Sequence, residues 1–249
     1  MRVWEDTGRV ELASGLFADA RGVVWLPAFR TLVAADVHLG FVWVERHRGA
    51  LLPLVEEDAP WRLRELAMEY RADDLVLLGD TLHSTARPGE LAEELAKLVD
   101  ALAGVTRVSY VLGNHDERLE AVLSELGSRA ECTRELRMGP HVLVHGHAHD
   151  WESVRHRLGR GGVLIYGHEH PALVLGDGVA TSVKVPCFLC AERRFILPAF
   201  SRWAAGITLG RQPMMSRLAR TDEFERAVAV LGDRLLPVPL ENGVVTGRG

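Results

Sequence analysis

The sequence predicts an α/β fold, and three observations carry that reading. Short apolar runs alternate with longer amphipathic segments, the intervals between runs fit strand-helix-strand units, and each run stops at a polar cluster. The 249 residues suffice for one large α/β domain. Hydrophobic residues make up 47% and charged residues 25%, a composition that buries a real core and excludes a disordered or fibrous chain.

Buried strands are read at Thr31 to Ala35, Leu75 to Leu78, Val108 to Leu112, His141 to Val144 and Gly162 to Tyr166, each apolar nearly throughout. Between them, Pro60 to Tyr70 places Leu63, Leu66, Ala67 and Tyr70 on one face, and Pro88 to Ala103 does the same with Leu91, Leu95, Leu98, Val99 and Leu102. Both are expected to be helices that open with proline near the first position. A shorter helix is expected from Glu117 to Leu126, with Asp116 as its N-cap and Gly127 as its stop.

After Tyr166 the pattern changes to closely spaced strands, Ala172 to Leu175, Val179 to Val185 and Phe195 to Leu197, with a turn at Gly176 to Gly178. This reads as an antiparallel meander. Residues 211 to 249 read as a tail following a domain that spans 1 to 210. In that tail a helix from Asp222 to Leu231 is expected, capped by Asp222 with Glu225 at its third position. Its apolar face of Phe224, Ala227, Val228 and Leu231 is expected to pack on the body or on a second copy of the chain, as a homodimer, and to supply no metal ligand.

Lys plus Arg number 29 against 34 for Asp plus Glu, a net charge of -5. That balance argues against a protein that coats duplex nucleic acid by counterion release, and leaves room for a local basic patch. Three cysteines, Cys132, Cys187 and Cys190, are too few for a disulfide scaffold. With no apolar leader and no run of about 18 uncharged apolar residues, a cytoplasmic location without a membrane span is expected. Cys187 and Cys190 form a CxxC pair, but an offset of three in a strand sends the side chains to opposite faces, so they are read as core cysteines. Trp25, Phe41 and Trp43 are candidates for stacking on a nucleobase, with apolar packing as the simpler use of each.

The chemistry sits where the strands stop. Asp36 and His38 follow the first run, Gly79 and Asp80 the second, Gly113 to Asp116 (GNHD) the third, His145 to His147 (HGH) the fourth, and Gly167 to His170 (GHEH) the fifth. Any one of these residues alone reads as a turn former or a satisfied polar group, and Asp116 alone as a helix cap. Strand carboxyl ends of an open α/β sheet converge on one crevice, so residues scattered in sequence meet there. Carboxylates plus imidazoles without cysteine suit Mn²⁺, Fe or Zn²⁺ better than a structural thiolate zinc site.

These five blocks, D-x-H, G-D, G-N-H-D, H-G and G-H-x-H, resemble those of the calcineurin-like metallophosphoesterase superfamily, and all five are intact between Leu32 and His170. The resemblance implies a four-layer αββα sandwich. More narrowly, Ala20 to Pro27, Val33 to Gly40, Gly167 to Pro171, Pro186 to Phe188 and Leu197 to Phe200 resemble the small bacterial phosphoesterases associated with a DNA ligase and a helicase. Carried over, the pattern implies two divalent metal ions: Asp36, His38 and His170 on the first, Asn114, His145 and His168 on the second, and Asp80 bridging them. It further implies attack on a phosphoester by a metal-bound hydroxide, with His115 protonating the leaving oxygen and Asp116 fixing its tautomer. His83 and His147 are close enough in sequence to stand behind the ligands.

The subgroup implies a diesterase acting on nucleotides or nucleic-acid ends, 2′,3′-cyclic phosphates among them. A phosphomonoesterase and a non-catalytic scaffold on the same fold are the alternatives. The scaffold requires a broken ligand set, and none is broken here.

Overall fold

The computed structural model describes residues 8–51, 58–176, 182–204 and 206–245. Two sheets lie at its centre. The first has seven strands in sequence order: β1 (Arg9–Ala13), β2 (Leu16–Asp19), β3 (Val23–Leu26), β4 (Thr31–Ala34), β5 (Asp74–Leu78), β6 (Arg107–Val111) and β7 (Glu131–Thr133). β1 to β4 run antiparallel to one another, whereas β4 to β7 run parallel and are linked by helices. Those helices include α1 (Phe41–His47), α2 (Ala59–Tyr70), α3 (Pro88–Leu102) and α4 (Leu119–Glu125).

The second sheet takes β8 (Glu135–Met138), β9 (His141–Val144), β10 (Leu164–Tyr166), β12 (Ser182–Cys190), β13 (Arg194–Ile196), β14 (Arg226–Leu231), β15 (Arg234–Glu241) and β16 (Val244–Val245), with β11 (Ala172–Gly176) paired to β12. Its parallel part is β9, β10 and β13. A short helix, α5 (Trp151–Arg155), joins β9 to β10.

Three apolar clusters define the layers. Leu63, Leu66, Leu91, Leu95 and Leu98 of α2 and α3 pack on Leu32, Leu75 and Leu77 of the first sheet. The opposite face of that sheet, Val24, Val33, Val76 and Val111, meets Leu143, Ile165, Phe188 and Val228 of the second. Val154 of α5, with Leu218 and Phe224, covers the outer face of the second sheet. The expected αββα order is therefore present. Its fourth layer is one short helix plus irregular chain.

The helix expected from Asp222 to Leu231 is a correction. Arg226 to Leu231 is strand β14, hydrogen-bonded antiparallel to β12 on one side and β15 on the other. Phe224, Ala227, Val228 and Leu231 fit a helical period, but the segment is buried on both faces: Ala227 and Ala229 point outward under Phe224, and Val228 points between the sheets. A doubly buried strand loses the alternation that would have revealed it. Gly232 and Asp233 make the two-residue turn into β15, with Leu231 opposite Arg234. The tail thus packs on the body as part of its larger sheet.

The turn expected at Gly176 to Gly178 and the start of the strand expected from Val179 fall partly on residues outside those described. Cys187 and Cys190 are both buried, Cys187 in the outer cluster and Cys190 between the sheets. Strand alternation separates them.

Candidate metal centre

The carboxyl ends of β4, β5, β6, β9 and β10 meet at one edge of the sandwich, and the five blocks meet there with them. Oxygen and ring-nitrogen atoms of Asp36, His38 and His170 lie within 4.8 Å of one another, and those of Asp80, His145 and His168 form a second such group. Asn114 joins the second group, with its Oδ1 3.2 Å from His145 Nε2. All the residues expected to be ligands are therefore brought together.

The backbone is bent to do this. Asp36, His38, Asp80, His168 and His170 are five of the eight non-glycine residues with positive φ among those described. The left-handed region costs such residues about 1–2 kcal/mol each, so its concentration here marks a site whose geometry the surrounding fold enforces. Motif glycines serve the same crowding. A Cβ on Gly79 would collide with the His145 ring, and one on Gly113 with the Asp80 carboxylate.

Asp36 is fully buried and accepts the His168 backbone N–H at 3.0 Å, while His170 Nε2 lies 3.1 Å from its Oδ1. Burial pushes its pKa up, but the charge and hydrogen bond of His170 outweigh this and hold it below the usual carboxylate range. Asp80 is likewise held low: burial opposes, and the hydrogen bond from His145 at 3.3 Å prevails. His145 is buried too, and burial alone would lower its pKa. Asp80 and Asp36 instead raise it to about 9. Its Nδ1–H donates to the Leu78 carbonyl, which turns Nε2 toward the cluster. His38 and His168, by contrast, are pushed down to about 4, chiefly by burial.

This donor set fits divalent cations. Two buried carboxylates call for positive charge, and imidazoles face them without a thiolate. His38 Nε2 and His170 Nε2 stand 3.3 Å apart, and His168 Nδ1 and His145 Nε2 3.2 Å apart, so ring nitrogens of four histidines converge in two pairs.

His115 sits beside the cluster, partly exposed, with Nε2 3.9 Å from Asp80 Oδ2 and its backbone N–H bonded to Asp80 Oδ1 at 2.9 Å. Its Nδ1 shares a 2.8 Å hydrogen bond with the Ser84 hydroxyl. The Asp116 carboxylate is the second correction: it is neither the partner of His115 nor the cap of α4. It accepts the N–H groups of Leu82 and Gly113, both at 2.9 Å, while α4 starts only at Leu119. Burial raises its pKa to about 6 against those hydrogen bonds. Buried amides of two loops need an acceptor, and Asp116 is turned inward to supply one. Ser84, immediately after His83, is the residue that sequence reasoning missed.

His83 stacks on His115 at 5.3 Å and places Nδ1 3.5 Å from His38 Nδ1; His147 lies with its ring 5.3 Å from that of His145. Both lie beside candidate ligands, His147 exposed to solvent. Trp25 packs on Tyr70, and Trp43 donates to buried Glu94, whereas Phe41 lies edge-on to His83. A further missed residue is Glu169, the x of the G-H-x-H block. It is fully buried and accepts the backbone N–H groups of Met215 and Ser216, at 2.8 and 2.7 Å. The tail is tied through it to the loop that carries His168 and His170.

A family model described as the calcineurin-like phosphoesterase superfamily domain matches residues 29–185. The chain belongs to the calcineurin-like phosphoesterase superfamily. Among solved structures, that of Pseudomonas putida nuclease MPE is similar, with a TM-score of 0.63 at 24% sequence identity over 92% of this chain and 98% of that one. It shows a shared fold. A search of curated proteins gave no match. As a calcineurin-like phosphoesterase, the protein is a metal-dependent hydrolase of phosphoesters, with two clusters suited to divalent metal. Among the described residues, no helix is long and apolar enough to cross a membrane.

Proposed function

We propose that the protein is a phosphodiesterase acting on nucleic-acid phosphodiesters with two divalent ions, Mn²⁺ preferred. The observation that carries this reading is the pair of adjacent donor clusters on a backbone held in left-handed conformations. Asp36, His38 and His170 would hold one ion, Asn114, His145 and His168 the other, and Asp80 would lie between them. Bound there, the ions would neutralise phosphate charge and acidify a water for attack. Four imidazoles in the set favour a borderline transition metal over Mg²⁺, which prefers oxygen. Likeness in fold to a protein described as a nuclease supports a nucleic-acid substrate.

The chain's own contribution to catalysis centres on His115. Ser84, donating its hydroxyl to Nδ1, would leave the proton on Nε2, on the side that faces Asp80 and the cluster. From there His115 donates to the leaving oxygen. Asp116 positions it indirectly, by tying Gly113 and Leu82 into one loop base.

The test is a panel of bis(p-nitrophenyl) phosphate, p-nitrophenyl phosphate, cyclic nucleotides and short DNA or RNA, run with Mn²⁺, with Mg²⁺ and after chelation. Diesters should be hydrolysed faster than monoesters, and fastest with Mn²⁺. Full activity in chelated protein would overturn the metal reading, and a preference for the monoester would overturn the diesterase reading.

A further inference from the structure

Gly206 lies outside the five blocks, yet it presses on the metal centre more closely than any glycine within them. A Cβ built on it would stand 1.4 Å from the His170 carbonyl oxygen, 2.6 Å from the carbonyl carbon and 2.9 Å from the His170 Cβ. The nearest approaches at Gly79, Gly113 and Gly167 are 2.1, 2.2 and 2.6 Å. Nonbonded carbon atoms rest about 3.5–4.0 Å apart, so a side chain at 206 must displace either its own segment or His170. What it would strike is backbone, which cannot swing aside as the end of a flexible side chain can.

Both parties to this contact are pinned. The chain after β13 is tied at one end to the loop of Asp36: the Phe200 N–H donates to the Ala35 carbonyl at 2.8 Å, and the Ser201 N–H to the Asp36 carbonyl at 3.1 Å. At the other end the Ile207 N–H donates to the Glu169 carbonyl at 3.3 Å, and the Ile207 carbonyl accepts the Ala172 N–H at 2.9 Å. The Lys184 ammonium donates to the carbonyl of Gly206 itself. On the other side of the contact, Glu169 before His170 is held by the Met215 and Ser216 amides, and Pro171 after it accepts the Cys187 N–H at 2.9 Å. Among the described residues, no backbone hydrogen bond of the chain after β13 goes to the loops that carry Asp80, Asn114 or His145.

We propose that Gly206 is a positioning residue for one of the two ions: its missing side chain leaves room for His170 as a ligand, so it governs the site of Asp36, His38 and His170 and not the site of Asn114, His145 and His168. The inference rests on the two-ion reading and deepens it. A displaced His170 peptide carries its imidazole away from Asp36, whose Oδ1 its Nε2 now meets at 3.1 Å. If the chain after β13 yields instead, it pulls on the Asp36 carbonyl through Ser201. Either movement spoils the same site. His168 is shielded from it, because the anchored Glu169 stands between the two histidines.

The test counts ions and asks which one is weakened. Wild-type protein, Gly206→Ala and Lys184→Ala are stripped with chelator and titrated with Mn²⁺ by calorimetry, and electron paramagnetic resonance records whether the bound Mn²⁺ ions are coupled to each other or isolated. Wild type should bind two ions and give the coupled spectrum. Gly206→Ala should keep one ion at wild-type affinity and bind the other about 10–100-fold more weakly, the loss expected when a group that orients a ligand is disturbed. At near-stoichiometric Mn²⁺ its spectrum should be that of an isolated ion. Lys184→Ala removes only an exposed side chain that steadies the Gly206 carbonyl, and should weaken the same ion about fivefold. Two ions at wild-type affinity in both variants would overturn the proposal. Equal weakening of both ions would overturn it too, since that is what a general loss of stability produces. If Gly206→Ala does not fold, the Lys184→Ala titration decides by the same two criteria. Wild-type protein that binds a single ion, weakened by Gly206→Ala, would overturn the two-ion reading and uphold the role of Gly206; wild-type protein that binds none would overturn both.

Discussion

Glu169 offers a one-atom test of whether the tail supports the metal loop. Its carboxylate is fully buried, accepts two backbone N–H groups from Met215 and Ser216, and lies between His168 and His170, both in left-handed conformations. Glu169→Gln keeps the shape but turns one acceptor oxygen into a donor, so one amide N–H then faces another in a site closed to water. A hydrogen bond to a charged group contributes about 1.5–3 kcal/mol, and a stranded buried donor costs about 1–3 kcal/mol. Taken together the expected loss is about 3 kcal/mol. In a domain of this size each kcal/mol moves Tm by about 2–4 °C, so chelated protein should melt about 6–12 °C lower. The same substitution should weaken Mn²⁺ binding about tenfold or more, as happens when groups that orient ligands are removed, read by calorimetric titration. A chelated Tm within about 1 °C of wild type would refute the energetic argument. A lowered Tm with unchanged Mn²⁺ affinity would refute the link to the metal loop. The tail is expected to supply no metal ligand, yet the Glu169 contacts predict that truncation before Arg211 will lower metal content.

Asp80→Asn should lose metal more severely than a peripheral change such as His156→Ala, because one fewer negative charge leaves two nearby cations to repel each other; two tightly bound ions per chain in the variant, by metal analysis, would contradict this. His115→Ala should retain much of its activity on nitrophenyl esters and lose about 10²–10⁴-fold on a diester with an alkoxide leaving group, whereas Asp116→Asn should lower Tm and affect both substrates alike; equal losses for His115→Ala at full metal content would remove the proton-donor role. Asp19 is held below the usual carboxylate range: burial raises it, but hydrogen bonds from Arg21 and Tyr70 outweigh that. A depressed folded pKa gives stability that is present above about pH 4 and lost as pH falls through the folded value. Asp19→Asn should therefore be less stable at neutral pH and lose less on acidification, and melts that fall in parallel with wild type from about pH 5 to 3 would count against it.

The sequence by itself determined the parallel strands, the two long helices and which residues gather at the candidate metal centre. Those features are local: an apolar run such as Leu75 to Leu78 stopping at Gly79 and Asp80 carries its own period, its own turn and its own candidate ligand. Tertiary structure decided what depends on partners distant in sequence. Whether Arg226 to Leu231 became helix or strand was set by β12 and β15 on either side, since six residues buried on both faces carry neither period clearly. The partner of His115 was likewise a matter of which oxygen the fold delivers, and it delivered Ser84 while two loop amides claimed Asp116. Glu169 looked like a free position within G-H-x-H because its partners, the amides of Met215 and Ser216, carry no side-chain signal. The same holds for Gly206: it is one of 24 glycines in the sequence, and only the packing of the chain after β13 against the metal centre sets it on the His170 carbonyl. A motif records the residues that chemistry requires, whereas backbone acceptors and close backbone approaches exist only once the chain has closed on itself.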